Sequence, residues 1–288
     1  MRPRYSFSSR RNRRIDKMTK QRQKYPDIAK KIVDTSDIIL EVLDSRFPNQ
    51  TRNKELESEI KTQKKKIIYV LNKSDLAKNQ KRTLPTPNVK VSCTKRIGIK
   101  QLRDKIKQIS KTIEQRETRE LRKDKVVKGE DSRIKVGVIG YPNTGKSSLL
   151  NLLSGKKAAG VGSEAGFTKG VQKIRLSSEI VLIDTPGVIP EEDYSQTEKK
   201  KIAQNTMFGG KSYTQIKEPE IVIHRILEEF PNSLEKHYKI KLENNLDSEE
   251  LIEKVGNLKG FFKKGNKVDE DKTAREILRA WQKGEINI

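Results

Sequence analysis

Cysteine occurs once in the 288 residues, at Cys93, so no disulfide can form within the chain, and a reducing cytosolic compartment is expected. Histidine occurs twice, at His224 and His237. Two histidines and one cysteine cannot assemble a zinc site of the usual kinds. Aromatic residues make up 5% and hydrophobic residues 32% of the chain, which is lean but enough for a modest core with solvated extensions. No apolar run approaches the roughly 20 residues needed to cross a bilayer. The first residues, MRPRYSFSSRRNRR, contain no apolar stretch and are not expected to act as a secretory signal. Acids are also scarce. The chain has 39 Asp and Glu against 63 Lys and Arg, a formal net charge of +24. That imbalance points to a polyanionic partner, with nucleic acid ahead of an anionic membrane surface.

The excess charge is localised. Residues 1–24 hold ten Lys/Arg and a single acid, Asp16. With so few apolar residues, this arm is expected to stay disordered until it meets a partner; a solubilising or targeting tail is the alternative. Residues 95–135 hold fifteen basic and seven acidic residues and read as a charged helix plus linker. Residues 195–288 hold eighteen basic and sixteen acidic residues, a nearly neutral segment. The length itself suggests one or two domains.

Short apolar runs predict strands at 37–43, 66–71, 88–92 and 134–139, with a hairpin over 171–176 and 179–183. Helical spacing predicts helices over 53–62, 99–110 and 146–153. Strands alternating with helices imply an α/β fold, a mostly parallel sheet covered on both faces. After about residue 195 the strand signals fade. Helices are predicted over 219–230, over 247–255 with Asp247 as N-cap and Glu250 three residues on, and over 271–283 ending at Gly284. In the last of these, Ala274, Ile277, Leu278 and Trp281 form the apolar stripe.

Gly140-Tyr-Pro-Asn-Thr-Gly145-Lys146-Ser147 matches GxxxxGK[ST], following a predicted strand and opening a predicted helix. There the glycines let successive N–H groups, from Asn143 through Gly145 to Ser148, face a phosphate, and the helix N-terminus adds its positive end. Lys146 is expected to reach the β- and γ-phosphates, and Ser147 to ligate Mg²⁺. Asp184-Thr-Pro-Gly187 ends another strand, where the acid can hold the Mg²⁺ through water and the Gly187 N–H can sense the γ-phosphate. Thr168, in a Gly-rich stretch between the two motifs, is placed to close over metal and γ-phosphate; any loop threonine would look similar. Asn72-Lys73-Ser74-Asp75 follows a strand as well. The Asp75 carboxylate can accept from guanine N1–H and its 2-amino group, a donor pair adenine lacks, while Asn72 and Lys73 brace the loop and pack on the base. Ser92-Cys93-Thr94 follows a further strand, and the Cys93 N–H is expected to reach the guanine O6. The Cys93 side chain reads as a small buried hydrophobe.

In this order the motifs resemble those of the circularly permuted GTPases of the YlqF/RbgA type. NKSD and SCT precede GYPNTGKSS, FT and DTPG, and the segment DSRFP (Asp44, Arg46, Pro48) stands ahead of NKSD. The resemblance covers about residues 25–190 and is looser over 195–288. Beside the basic arm that composition marks at 1–24, it implies a circularly permuted P-loop GTPase domain at 25–194 and a small helical C-terminal domain at 195–288. It also implies GTP/GDP and Mg²⁺ as ligands, large ribosomal subunit assembly as the function, and rRNA or a pre-ribosomal particle as the partner. Many GTPases place a water-orienting Gln after the DxxG glycine; Val188 stands there, which implies slow hydrolysis needing outside help, with Lys146 and Thr168 as the catalytic residues. Asn143 resembles the asparagine that coordinates a K⁺ bridging the phosphates in related GTPases; a residue chosen for turn geometry is the alternative. Two rival readings stand beside this one. The chain could be an RNA-binding protein with GTP as a structural ligand, or a membrane-surface GTPase, for which it lacks an amphipathic or lipidation signal.

Overall fold

The computed structural model describes residues 27–77, 83–116, 133–155, 172–184, 199–230, 232–242 and 247–287. The basic arm, the linker half of the 95–135 block and the expected boundary at 194/195 lie outside the described residues, as do Thr168, Gly187 and Val188.

Six strands make one sheet. They are β1 (Ile38–Asp44), β2 (Lys66–Asn72), β3 (Asn88–Lys90), β4 (Ile134–Gly140), β5 (Gln172–Arg175) and β6 (Ile180–Asp184), in the order β3-β2-β1-β4-β6-β5. All pairs are parallel except the β5–β6 hairpin. Every residue of β1 is buried, because helices cover both faces of the sheet. Ile38, Leu40 and Val42 share a cluster with residues of α3 (Ile99–Arg116) and α4 (Lys146–Ser154). Ile39 meets the opposite layer, where Ala29 and Val33 from α1 (27–35) and Leu56 and Ile60 from α2 (Lys54–Thr62) pack. α2 starts where Asn53 caps it, its side chain accepting from the Leu56 N–H at 3.1 Å.

The elements depart from expectation in several places. α3 runs to Arg116 rather than Ser110, because Ile109 and Ile113 continue its apolar stripe against the sheet. β3 stops at Lys90 rather than Ser92, because Ser92 turns away to pair with Ile97. Helix α1, over 27–35, has no counterpart among the elements the periodicity predicts.

The C-terminal region is helical: α5 (Lys199–Met207), α6 (Pro219–Glu229), α7 (Ser233–Tyr238), α8 (Ser248–Lys259) and α9 (Glu270–Lys283). Here α5 and α7 are also unanticipated. Asp247 caps α8 as expected, accepting from the Glu249 and Glu250 N–H groups at 2.9 Å each. The Glu250 side chain pairs with Lys254 one turn on. Trp281, fully buried, anchors the region, and its Nε1 donates to the Met207 carbonyl at 3.0 Å.

These helices do not close a core of their own. Phe47, from the turn after β1, and Tyr141, from the loop after β4, belong to the same cluster as Ile226, Leu251 and Trp281. The Phe47 ring lies 5.0 Å from Phe208, 5.5 Å from Phe230 and 6.0 Å from Trp281. Burying one such ring contributes roughly 1.5–3 kcal/mol, so the sheet and the C-terminal helices share a continuous apolar contact.

Candidate functional site

From β1 the chain runs outward to β2 and β3, then returns to add β4, and through it β6 and β5, on the other side of β1. The order therefore reverses between β1 and β4, and a crevice opens at the carboxyl ends of strands around such a point. Register puts the functional motifs there. Asp44 pairs with Asn72, Val42 with Gly140 and Val138 with Asp184, so β1, β2, β4 and β6 end along one edge.

Gly145 precedes α4 with φ +95°, and a Cβ there would lie 2.2 Å from Asn72 Nδ2, so only glycine fits. The N-cap Gly145 has no side chain to cap α4, so the positive end of the helix faces the crevice. The Lys146 ammonium folds back to donate to the Gly140 and Tyr141 carbonyls at 3.0 and 2.9 Å. Burial lowers its pKa to about 8, against an opposing pull from the Asp184 carboxylate. Ser147 Oγ and Asp184 Oδ2 meet at 3.4 Å, two oxygen donors suited to a hard cation. Thr144 is buried and bonds its own turn through Tyr141 O. Asn143 takes a left-handed φ of 58°, and its Nδ2 donates to Gly209 O at 2.9 Å.

The NKSD turn is tied to this loop by one side chain. Asn72 Nδ2 donates to Thr144 O at 2.7 Å, and its Oδ1 accepts from the Cys93 N–H at 3.2 Å. The latter bond departs from expectation: here the Cys93 N–H is engaged by Asn72, the nearest strong acceptor. The Cys93 side chain packs against the sheet core, and burial raises its thiol to about 11. Ser92 is fully buried and serves its turn, its Oγ accepting from the Lys95 N–H. Asp75 is the middle residue of a short 3-10 turn over Ser74–Leu76, and its Oδ1 is buried without a hydrogen-bond partner among the described residues. A buried carboxylate oxygen left unsatisfied is costly unless a donor arrives, and that fits the amide-like N–H edge of a guanine.

Lys73 differs from its expected part of packing on a base. Its Nζ pairs with Asp44 Oδ2 at 2.8 Å, drawn there because Asp44 is a fully buried carboxylate. Asp44 also accepts from Arg46, at 3.1 Å from Nε and 2.8 Å from Nη2. Burial would raise the Asp44 pKa, but the two cations more than offset it and hold the group well below the usual carboxylate range. Arg46 Nη1 then donates to the Trp281 carbonyl at 2.8 Å. A chain of buried polar contacts thus runs from the NKSD turn to α9. Nothing in the sequence pairs Arg46 with Trp281; the only signal was the charge pattern of DSRFP.

The crevice is a cavity of about 550 Å³, within the range of small-molecule sites. One wall holds Asn72, Lys73, Cys93, Asn143, Gly145 and Ser148. The other comes from the C-terminal helices and loops, with Phe208, Gly209, Tyr213, Gln282 and Lys283, none of which the motifs pointed to. Thr168 and Gly187 lie outside the described residues.

Comparison with known proteins fits this arrangement. Residues 135–254 match the family described as 50S ribosome-binding GTPase. An uncharacterised GTP-binding protein of Methanocaldococcus jannaschii is 39% identical over 265 residues, 90% of this chain and 65% of that protein. Nucleolar GTP-binding protein 2 of Saccharomyces cerevisiae is 33% identical over 269 residues, 89% of this chain and 51% of that protein. The chain thus spans about half to two thirds of the length of these relatives. The GNP-bound structure of YlqF from T. maritima superposes with a TM-score of 0.55 at 20% identity, covering 91% of this chain and 94% of that one. That likeness shows the fold. With the NKSD turn ahead of the phosphate loop, the chain has the fold of YlqF and is similar over about nine tenths of its length to GTP-binding proteins.

Proposed function

We propose that the chain binds GTP and GDP at this crevice, hydrolyses GTP slowly, and uses the nucleotide state to time its hold on rRNA or a precursor of the large ribosomal subunit. The observation that carries the reading is the pair of hydrogen bonds made by the Asn72 amide, which joins the NKSD turn, the SCT turn and the phosphate loop at one side chain. Backbone N–H groups of Asn143 to Ser148 and the Lys146 ammonium bind the phosphates. Lys146 leaves its two backbone carbonyls for phosphate oxygens, which offer full negative charge in their place. The Asp75 carboxylate reads the guanine edge, with Asn72, Lys73, Ser92 and Cys93 shaping the loops around it. Ser147 and Asp184, with Thr168, would hold Mg²⁺. That ion supplies charge neutralisation at the β- and γ-oxygens when bound.

Gly209 O orients the Asn143 amide by taking its Nδ2, which leaves Oδ1 as the atom that would coordinate K⁺. The reading keeps residues 25–194 as the nucleotide-binding unit, 195–288 as the helical unit and 1–24 as an RNA-attracting arm. Among the described residues no helix is long and apolar enough to cross a membrane. The net charge of +24 supports an RNA partner, and a cytosolic setting follows from that partner and the lone cysteine.

Val188 in place of a water-orienting Gln favours a second reading, an RNA-binding protein with GTP as a structural ligand. Multiple-turnover phosphate release, measured with and without large-subunit particles in K⁺ and in Na⁺, separates the two. Release stimulated by particles or by K⁺ supports the first. A single turnover under every condition supports the second.

A further inference from the structure

We propose that the guanine nucleotide is held jointly by the sheet motifs and the C-terminal helices, with Lys283 at the end of α9 as the helical region's own nucleotide-binding residue. The inference rests on the reading of the crevice as a guanine-nucleotide site and adds a ligand contact that no GTPase motif contains.

Three observations lead there. First, the end of α9 is fixed against the base-reading turn. Gly284 follows Lys283 at φ +75°, and a Cβ there would sit 2.2 Å from Leu76 Cδ1, next to Asp75. Arg46 holds the Trp281 carbonyl from the other side. Second, the neighbouring residue is fully committed to structure. Gln282 Nε2 donates to Thr206 O at 3.2 Å and Lys211 O at 2.8 Å, and its Oε1 accepts from the Tyr213 N–H at 3.1 Å. These bonds set the register of α9 against the cavity, so Lys283 faces it by construction rather than by chance of a mobile terminus. Third, the charge of the cavity is unbalanced. Among the described residues its lining contains the cations Arg46, Lys73 and Lys283 and no carboxylate. Arg46 and Lys73 are both spent on Asp44. Lys283 forms no ion pair among the described residues; Glu276 two turns back and Glu285 two residues on are both held by Arg279, at 2.6 and 2.9 Å. An exposed ammonium on a wall whose other two cations are already paired is a seat for an anionic ligand.

The bland role for Lys283 is to complement the carbonyl end of α9. Full-length protein separates the two roles. Fluorescent GDP is titrated against the parent and Lys283→Glu, Lys283→Ala and Lys283→Arg, with a thermal melt of each in the absence of nucleotide. Loss of a charge-assisted contact is expected to weaken GDP binding about tenfold in Lys283→Ala and further in Lys283→Glu, with Lys283→Arg close to the parent. Hydrogen exchange over 270–284 should slow on GDP addition in the parent and respond less in Lys283→Glu. If Lys283→Glu lowers the melting temperature but binds GDP within about twofold of the parent, Lys283 serves only the helix and the inference falls alone. If the parent itself binds no guanine nucleotide, the inference falls together with the reading of the site.

Discussion

An ammonium buried as deeply as that of Lys146 is destabilised as a cation, and the cost has a sign that can be measured. Its pKa near 8 lies below the usual lysine value, so between about pH 8 and 10.4 the unfolded chain holds the extra proton. Folding stability contributed by this group therefore rises with pH through that window. Nucleotide binding runs the other way. Phosphate favours the charged form, so GDP affinity should be flat below pH 8 and fall above it, by at most about tenfold per pH unit. Isothermal titration across pH 7–10 checks this. Lys146→Ala should remove the fall, leaving only the contribution of the guanine ring's own titration; an unchanged profile would place Lys146 away from the phosphates. Asp75 gives a second test at the same scale. Its buried Oδ1 can only accept. Asp75→Asn places a donor amide against the guanine edge, which should weaken GTP binding by roughly 1.5–3 kcal/mol and improve xanthosine triphosphate binding. A variant that keeps the parent's preference would show that NKSD does not read the base.

The phosphate loop and the NKSD turn were legible because each depends on local residue types at fixed spacing. Gly145 is glycine because φ is positive and Asn72 leaves no room for a Cβ. The turn after β1 was legible only as a charge pattern, since its meaning lies in a contact 235 residues away, Arg46 to the Trp281 carbonyl. Helices α1, α5 and α7 went unread for a related reason. α5 opens on a run of three lysines and α7 is six residues long, so propensity and periodicity had little to work on, and tertiary packing decided them. The Asp44–Arg46 pair belongs to this scale, because it joins three elements. Removing Arg46 leaves the buried Asp44 with Lys73 alone and strips the Trp281 carbonyl of its donor, so Arg46→Met should lower stability, by less than the roughly 3–5 kcal/mol of a fully uncompensated buried charge. Urea unfolding would show it. The Asp44 carboxylate is depressed, so the network's contribution is present above the unfolded carboxylate range near pH 3.9 and is lost as pH falls below it. A double-mutant cycle with Lys73→Met should give a non-additive term, since both cations share Asp44.

At the scale of the whole molecule, the shared core changes how affinity for RNA can be dissected. Deleting the C-terminal helices would strip the cover from Phe47 and Tyr141 and expose them to water, so such a truncation tests folding before it tests binding. Point substitutions do better. The loop between α8 and α9 folds back on itself, with Phe262 bridged to Val268 and the Lys263 N–H donating to Lys267 O at 2.8 Å. It presents Lys263, Lys264 and Lys267 around Phe262, which is 44% exposed. A basic turn around an exposed ring suits stacking with positioned phosphates rather than long-range attraction. The arm, with ten Lys/Arg in residues 1–24, suits the reverse. Each phosphate contact contributes about −0.7 to −0.9 to the slope of log affinity against log salt. Deleting residues 1–24 should therefore flatten the slope by several units while preserving the choice between ribosomal particles. Changing Lys263, Lys264 and Lys267 to Gln should flatten it by about two to three units at most, since three contacts set that ceiling, and should erode the choice. Binding of both variants to large- and small-subunit particles across a salt series decides it. An arm deletion that leaves the slope unchanged would make the arm a solubility or targeting tail and shift the RNA-binding charge to the lysines of the folded region.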